Sequence, residues 1–90
     1  MNIILFRTKN CPKCKILEQY LDNLEVKYTK ANLEGRGSGK YKAMLLKRGI
    51  LIFATPALMI DEQLYRENQL MKDGSINPEI KELLQSIRQA

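Results

Sequence analysis

The sequence has no histidine and no tryptophan, and its 90 residues include only two cysteines and three prolines. Without histidine there is no imidazole base, so a nucleophile would have to be activated by other means. Two cysteines and no histidine also fall short of the four ligands that a structural zinc or an iron–sulfur cluster takes. Only a bridged dimer or an added thiol could complete such a set. Long apolar runs are missing as well. The longest, Ile50 to Ala54, is far too short to cross a bilayer. The apolar start Ile3-Ile4-Leu5-Phe6 ends at Arg7, too early for a secretory signal, and reads as a buried strand. No membrane partner is expected. Together these absences point to the cytoplasm, where thiols are kept reduced and a disulfide is usually transient and catalytic.

A chain of this length makes one small domain, here residues 1–90. Its apolar fraction, 44%, is ordinary for a folded protein and excludes a disordered one. Net charge is +5, which favours acidic partners or anionic small molecules. Arg36, Lys40, Lys42, Lys47 and Arg48 read first as a solvated helix face, and no nucleic-acid partner is expected. Glu34 to Lys40 (EGRGSGK) resembles a phosphate loop only superficially. The pattern would need Gly at position 34 and Ser or Thr at 41, where the chain has Glu34 and Tyr41, so this is a flexible connector.

Hydrophobic periodicity gives the elements. Asn2 to Phe6 is a strand covered on both faces. Ile16, Leu17, Tyr20, Leu21 and Leu24 then share one face of a helix from about Pro12 to Leu24, with Pro12 suited to its first position. Val26 and Tyr28 alternate with Lys27 and Thr29 as a half-buried second strand. A second helix spans Lys40 to Arg48 and stops at Gly49. Ile50 to Phe53 is extended, Ala57 to Ile60 is a strand, and Asp61-Glu62 turns it into a partner strand, Gln63 to Arg66. The last helix opens at Asn77-Pro78-Glu79, with Ile80, Leu83, Leu84 and Ile87 inward. The order βαβαββα predicts an α/β fold with a small mixed four-stranded sheet and helices on both faces.

Both cysteines lie in Thr8-Lys9-Asn10-Cys11-Pro12-Lys13-Cys14-Lys15. A bridge from Cys11 to Cys14 closes so short a loop that it constrains little of the unfolded chain, so a structural staple is a poor account. On the predicted framework Cys11 stands where the first strand meets the first helix. A helix N-terminus carries partial positive charge, which stabilises a thiolate, and Lys9, Lys13 and Lys15 add cationic charge. Such surroundings bring a thiol from about 8.5 to roughly 3.5–7.5. Cys14 falls on the buried face with Leu17 and Leu21 and would act as the resolving thiol. A metal-carrying module using Cys11 with partner ligands, and a partner-docking domain with incidental thiols, are the competing readings.

Cys11-Pro12-Lys13-Cys14 after the first strand, Thr55-Pro56 before the third, and the element order together resemble the glutaredoxin type of the thioredoxin superfamily. The resemblance covers nearly the whole chain. It implies a dithiol–disulfide oxidoreductase with Cys11 and Cys14 catalytic. It further implies a cis Thr55–Pro56 bond beside the cysteines, and a cleft for glutathione or a substrate disulfide formed by Lys9, Lys13, Thr55 and Pro56. No permanently bound cofactor and no metal are implied, and a monomer is expected. The chain departs from the family where Lys13 replaces the usual Tyr, Thr8 the usual Lys, and Ala54-Thr55-Pro56 the usual Thr-Val-Pro. The Gly-Gly and acidic residues that help hold glutathione are replaced by Tyr65-Arg66-Glu67-Asn68-Gln69, which argues against glutathione. The chain is equally similar to small glutaredoxin-like donors that serve ribonucleotide reductases and are recharged by a thioredoxin reductase. The partners so implied are a disulfide-containing protein, such as a ribonucleotide reductase, and a reductase or glutathione as electron source.

Overall fold

A computed structural model describes residues 2–89. Strand β1, Ile3–Arg7, leads through a tight turn into helix α1, Pro12–Asn23. Strand β2, Thr29–Asn32, helix α2, Ser38–Lys47, and the hairpin β3, Ala57–Ile60, and β4, Gln63–Tyr65, follow. A single-turn helix α3, Glu67–Leu70, a small hairpin of β5, Met71–Lys72, and β6, Ser75–Ile76, and helix α4, Pro78–Gln89, complete the chain.

The main sheet runs in the order β2-β1-β3-β4. β1 pairs in parallel with β2, while β3 is antiparallel to both β1 and β4. The predicted mixed sheet with a parallel first pair is what the chain forms. Alternation along the two central strands divides the core. Ile3, Leu5, Leu58 and Ile60 point to one side, where Leu17 and Leu21 of α1 and Ile80 and Leu84 of α4 cover them. Phe6, Ala57 and Met59 point to the other, with Ala31 of β2 under Leu45 of α2. Both faces are therefore clothed by helices, which is why β1 and β3 read as continuous apolar runs. Burying each of the larger side chains contributes about 1.5–3 kcal/mol.

Several boundaries differ from the sequence expectation. β2 begins at Thr29, not at Val26: pairing with β1 runs from Ile4 opposite Thr29 to Arg7 opposite Asn32. The alternation of Val26 and Tyr28 instead reflects their packing on the rim of the α1/α4 core. α2 starts at Ser38, because Gly37 takes a left-handed conformation (φ 82°) and the Ser38 hydroxyl donates to the Gly35 carbonyl at 2.8 Å. Gly49 ends that helix with φ 69°, as expected. β4 stops at Tyr65, one residue early, since Arg66 is the N-cap residue of α3. Ile16 is exposed, lying off the stripe of Cys14, Leu17 and Leu21.

Periodicity does not divide residues 67–76 into elements. α3 is too short to show a period. The β5–β6 hairpin does carry a signal: Asp73-Gly74, both at positive φ, is the two-residue turn that fits the twist of paired strands. This segment matters to the site, because it brings Glu67 beside the cysteine motif.

Candidate active site

Asn10 takes φ 54°, a left-handed conformation that asparagine tolerates, and reverses the chain between β1 and α1. Cys11 follows in extended conformation as the N-cap of α1, and Pro12 takes the first helical position. A cap residue normally offers an oxygen to an unpaired N–H of the first turn. Here the acceptor is sulfur: the Cys14 N–H donates to Cys11 Sγ at 3.1 Å. Cys11 and Cys14 are disulfide-bonded, with Cα atoms 5.2 Å apart. Cys11 keeps 8% of its surface and Cys14 none, so of the two only Cys11 can meet another molecule.

Thr55 meets Cys11 from the opposite side. Its hydroxyl donates to Cys11 Sγ at 3.6 Å, and its carbonyl oxygen lies 3.7 Å from the same sulfur. A disulfide sulfur carries no proton, so the second contact becomes a hydrogen bond only when Cys11 is a thiol. The Thr8 hydroxyl stands 2.9 Å from that of Thr55. With Thr55 donating to sulfur, Thr8 donates to Thr55, and a short hydroxyl chain ends on Cys11. The Thr55–Pro56 peptide is cis and Pro56 is buried at the start of β3. Of the cleft residues predicted from the sequence, Thr55 thus contacts Cys11, and Pro56 follows it through the cis bond. Lys13 turns instead to Glu67, its Nζ 2.8 Å from Glu67 Oε1. Lys9 is exposed in the turn before Cys11, and no hydrogen bond or ion pair ties it to the site among the described residues.

Thr8 and Glu67 complete a site that sequence reasoning builds only from the motif and Thr55-Pro56. In the sequence Thr8 stands out solely as a substitution for lysine, and Glu67 solely as a departure from Gly-Gly. The first strand offers no buried acid. Glu18 of α1, one turn beyond Cys14, is buried instead, and it is held by Arg7 Nε at 3.4 Å and Lys30 Nζ at 3.5 Å. Among the described residues no three His, Cys, Asp or Glu side chains converge to hold a metal ion.

Beside Thr8 and Thr55 opens a groove of about 480 Å³, lined chiefly by apolar side chains of α2 and of the stretch after it, with Lys42 among them. Three of its residues are large hydrophobics left in solvent: Leu46 (66% exposed), Leu51 (56%) and Phe53 (87%). Residues 52–55 make no backbone hydrogen bond to the rest of the chain among the described residues. Of the stretch read as extended from the sequence, Ile50 donates its N–H to Leu45 and Leu51 accepts from Arg66, so the strip of backbone without backbone partners begins at Ile52 and runs up to Thr55 beside the sulfur.

The fold has counterparts among solved structures. The thioredoxin-like protein BC3987 superposes with a TM-score of 0.65 at 18% identity, over 92% of this chain and 99% of that one. Its T8A mutant gives the same score and identity, with 97% of that chain covered. The glutaredoxin-like protein NrdH-redoxin from Escherichia coli superposes at 0.62 with 13% identity, over 93% and 95% of the two chains. The fold is thioredoxin-like. The amino-acid sequence matches no protein-family profile and no curated protein. In this thioredoxin-like fold the strand–helix junction and the cis-proline loop meet at Cys11, and α3 reaches the motif through Glu67 on Lys13. No helix among the described residues is long and apolar enough to cross a membrane.

Proposed function

We propose that the chain is a dithiol–disulfide oxidoreductase that reduces disulfides in protein partners. The observation that carries this is the capping sulfur: Cys11 Sγ already accepts the Cys14 N–H at 3.1 Å and a hydroxyl at 3.6 Å. Once the bridge is opened, both donors favour the ionised sulfur over the thiol, and the helix N-terminus adds its partial positive charge.

In the reduced form the Cys11 thiolate attacks one sulfur of the substrate disulfide. The substrate S–S bond breaks, a mixed disulfide forms, and the departing substrate thiolate takes up a proton. Cys14, losing its proton, then attacks Cys11 Sγ and releases the second substrate thiol. Two electrons pass to the substrate and the Cys11–Cys14 disulfide remains. A substrate segment laid along residues 52–55 would pair with their free backbone groups, place apolar side chains in the groove, and bring its disulfide over Cys11.

A protein reductase of the thioredoxin-reductase type, drawing on a nicotinamide donor, recharges the bridge in this proposal; glutathione does not. Lys13 is engaged by Glu67, and the residues after β4 lack the Gly-Gly turn. The NrdH-redoxin neighbour is described as a glutaredoxin-like protein with a thioredoxin-like activity profile, which supports the same assignment. Ribonucleotide reductase is the partner proposed for the substrate side, and the reducing cytoplasm is the compartment in which the cycle would run.

Two measurements test the proposal. Cys11→Ser should abolish reduction of a protein disulfide such as insulin, and Cys14→Ser should accumulate a mixed disulfide detectable by intact mass. Recharging is compared between thioredoxin reductase with NADPH and glutathione with its reductase. Faster recovery with glutathione would refute the assignment of reductant, and turnover surviving in Cys11→Ser would refute the function.

A further inference from the structure

Glu67 opens α3, 54 residues beyond Lys13, yet its carboxylate lies 2.8 Å from the ammonium of the one charged residue between the two cysteines. We propose that Glu67 is a positioning residue that sets the charge balance of the site: it holds the Lys13 ammonium, so that carboxylate and Cys11 thiolate compete for one cation. This deepens the oxidoreductase function and rests on it.

The neutral donors to Cys11, the Cys14 N–H and the Thr55 hydroxyl, are fixed by the cap and the cis-proline loop. Full charges are what remain adjustable. On the motif's own turn and helix stand Lys9, Lys13 and Lys15, of which Lys9 and Lys15 are exposed and free of ion pairs among the described residues. From the α3 side come Arg66 and Glu67, with Arg66 committed to the Leu51 carbonyl at 2.6 Å. From α2, Lys42 lines the groove beside Thr8 and Thr55. Only Lys13 is both within the motif and tied to an anion. A purely mechanical clamp accounts poorly for the pair, because α3 is placed without it. The Arg66 N–H donates to Gln69 Oε1 at 2.9 Å, and Leu70 is fully buried in the core. The Gln variant at position 67 is therefore expected to fold.

The direction follows from the charges. Removing the carboxylate frees Lys13 to attend the sulfur, so Glu67→Gln should make the Cys11 thiol more acidic. For a half-exposed pair the thiolate fraction at a pH below the thiol's midpoint should rise about two- to fivefold. Lys13→Met should lower that fraction, and in its background Glu67→Gln should gain much less. High salt should shrink the Glu67→Gln gain.

The experiment measures the rate of iodoacetamide alkylation of Cys11 against pH in the reduced full chain, for wild type, Glu67→Gln, Glu67→Asp, Lys13→Met and the Lys13→Met/Glu67→Gln double variant. A partial return toward wild type in Glu67→Asp supports the proposal. An equal gain from Glu67→Gln with and without Lys13 would show direct repulsion of the thiolate and overturn it. So would a superimposable profile accompanied by a lowered unfolding midpoint, the mark of a clamp. If wild-type Cys11 alkylates like free cysteine, the oxidoreductase assignment itself fails. If it is acidic but indifferent to Glu67, only the present inference fails.

Discussion

Removing the Thr55 hydroxyl while keeping the side chain's shape, Thr55→Val, isolates one of the two donors aimed at Cys11. The hydroxyl lies 3.6 Å from the sulfur and is itself backed by Thr8 at 2.9 Å. A hydrogen bond to a charged group contributes about 1.5–3 kcal/mol when well formed. The long oxygen–sulfur distance and partial solvent access place this one below the lower end, at about 1 kcal/mol. Since about 1.4 kcal/mol corresponds to a factor of ten in an equilibrium, losing this donor should make ionisation of the reduced Cys11 thiol about fivefold less favourable, with its midpoint moved upward. Well below that midpoint, alkylation should slow about fivefold. Thiolate absorbance in the far ultraviolet and the iodoacetamide rate, both followed against pH on reduced protein, read the change. Thr8→Val should do less, since it leaves the Thr55 hydroxyl in place. Superimposable profiles for wild type and Thr55→Val would show that the hydroxyl chain contributes nothing to the sulfur. A larger effect from Thr8 than from Thr55 would reverse the order of donors inferred here.

Three further outcomes are expected. Because serine can cap a helix and alanine cannot, Cys11→Ala should unfold more easily than Cys11→Ser by about 1 kcal/mol in chemical denaturation, although both lack the chemistry. Phe53→Asp, which puts charge into the groove at its most exposed hydrophobic, should raise KM for a protein disulfide while leaving the alkylation profile of Cys11 unchanged; an unaltered KM would remove the groove from substrate docking. Burial, and then the Asp22 carboxylate that accepts its hydroxyl at 2.9 Å, hold the Tyr28 phenol protonated well above the ordinary tyrosine range. Its folded-state affinity for the proton is raised, so this contribution to stability is intact below about pH 10 and is lost as alkali ionises the folded form. About one pH unit above that value the native chain should therefore lag its unfolded form by about one phenolate in ultraviolet absorbance, and Tyr28→Phe should abolish the lag.

The sheet is legible in the sequence because its two central strands are apolar on both faces, and a short apolar run bounded by polar turns is what a strand covered on both sides requires. The helix α4 is legible from its cap, Asn77, whose side-chain oxygen does accept the Glu79 N–H at 3.1 Å. Edge strand β2 is displaced by three residues from its expected start. Only Ala31 of it is buried, so its pattern is weaker than that of the neighbouring residues 26–28, which pack on the core without joining the ladder. At the site, the cysteine spacing and Thr55-Pro56 can be read because each is a local pattern. The partners Thr8 and Glu67 cannot, because their roles come from tertiary approach: Thr8 meets Thr55 across 47 residues and Glu67 meets Lys13 across 54. A hydroxyl or a carboxylate in a loop carries no sequence mark of the group it will face.

The spacing of the two cysteines also has a reason beyond the reach of one sulfur to the other. A cap residue bonds the N–H of the second or third helical position, and the third position after Cys11 is Cys14. In the proposed cycle the residue that donates to the attacking sulfur is thus the one whose own thiol would resolve the mixed disulfide, and the start of α1 fixes both distances at once. The same capping contact would, in that cycle, hold the sulfur of a mixed disulfide at the first turn, within reach of Cys14. Inserting a residue between them would leave a cap and a thiol on different faces of the helix, since each added residue rotates the side chain by about 100°. Thiolate stabilisation and intramolecular release therefore rest on one local structure and cannot be separated by sliding either cysteine along the chain.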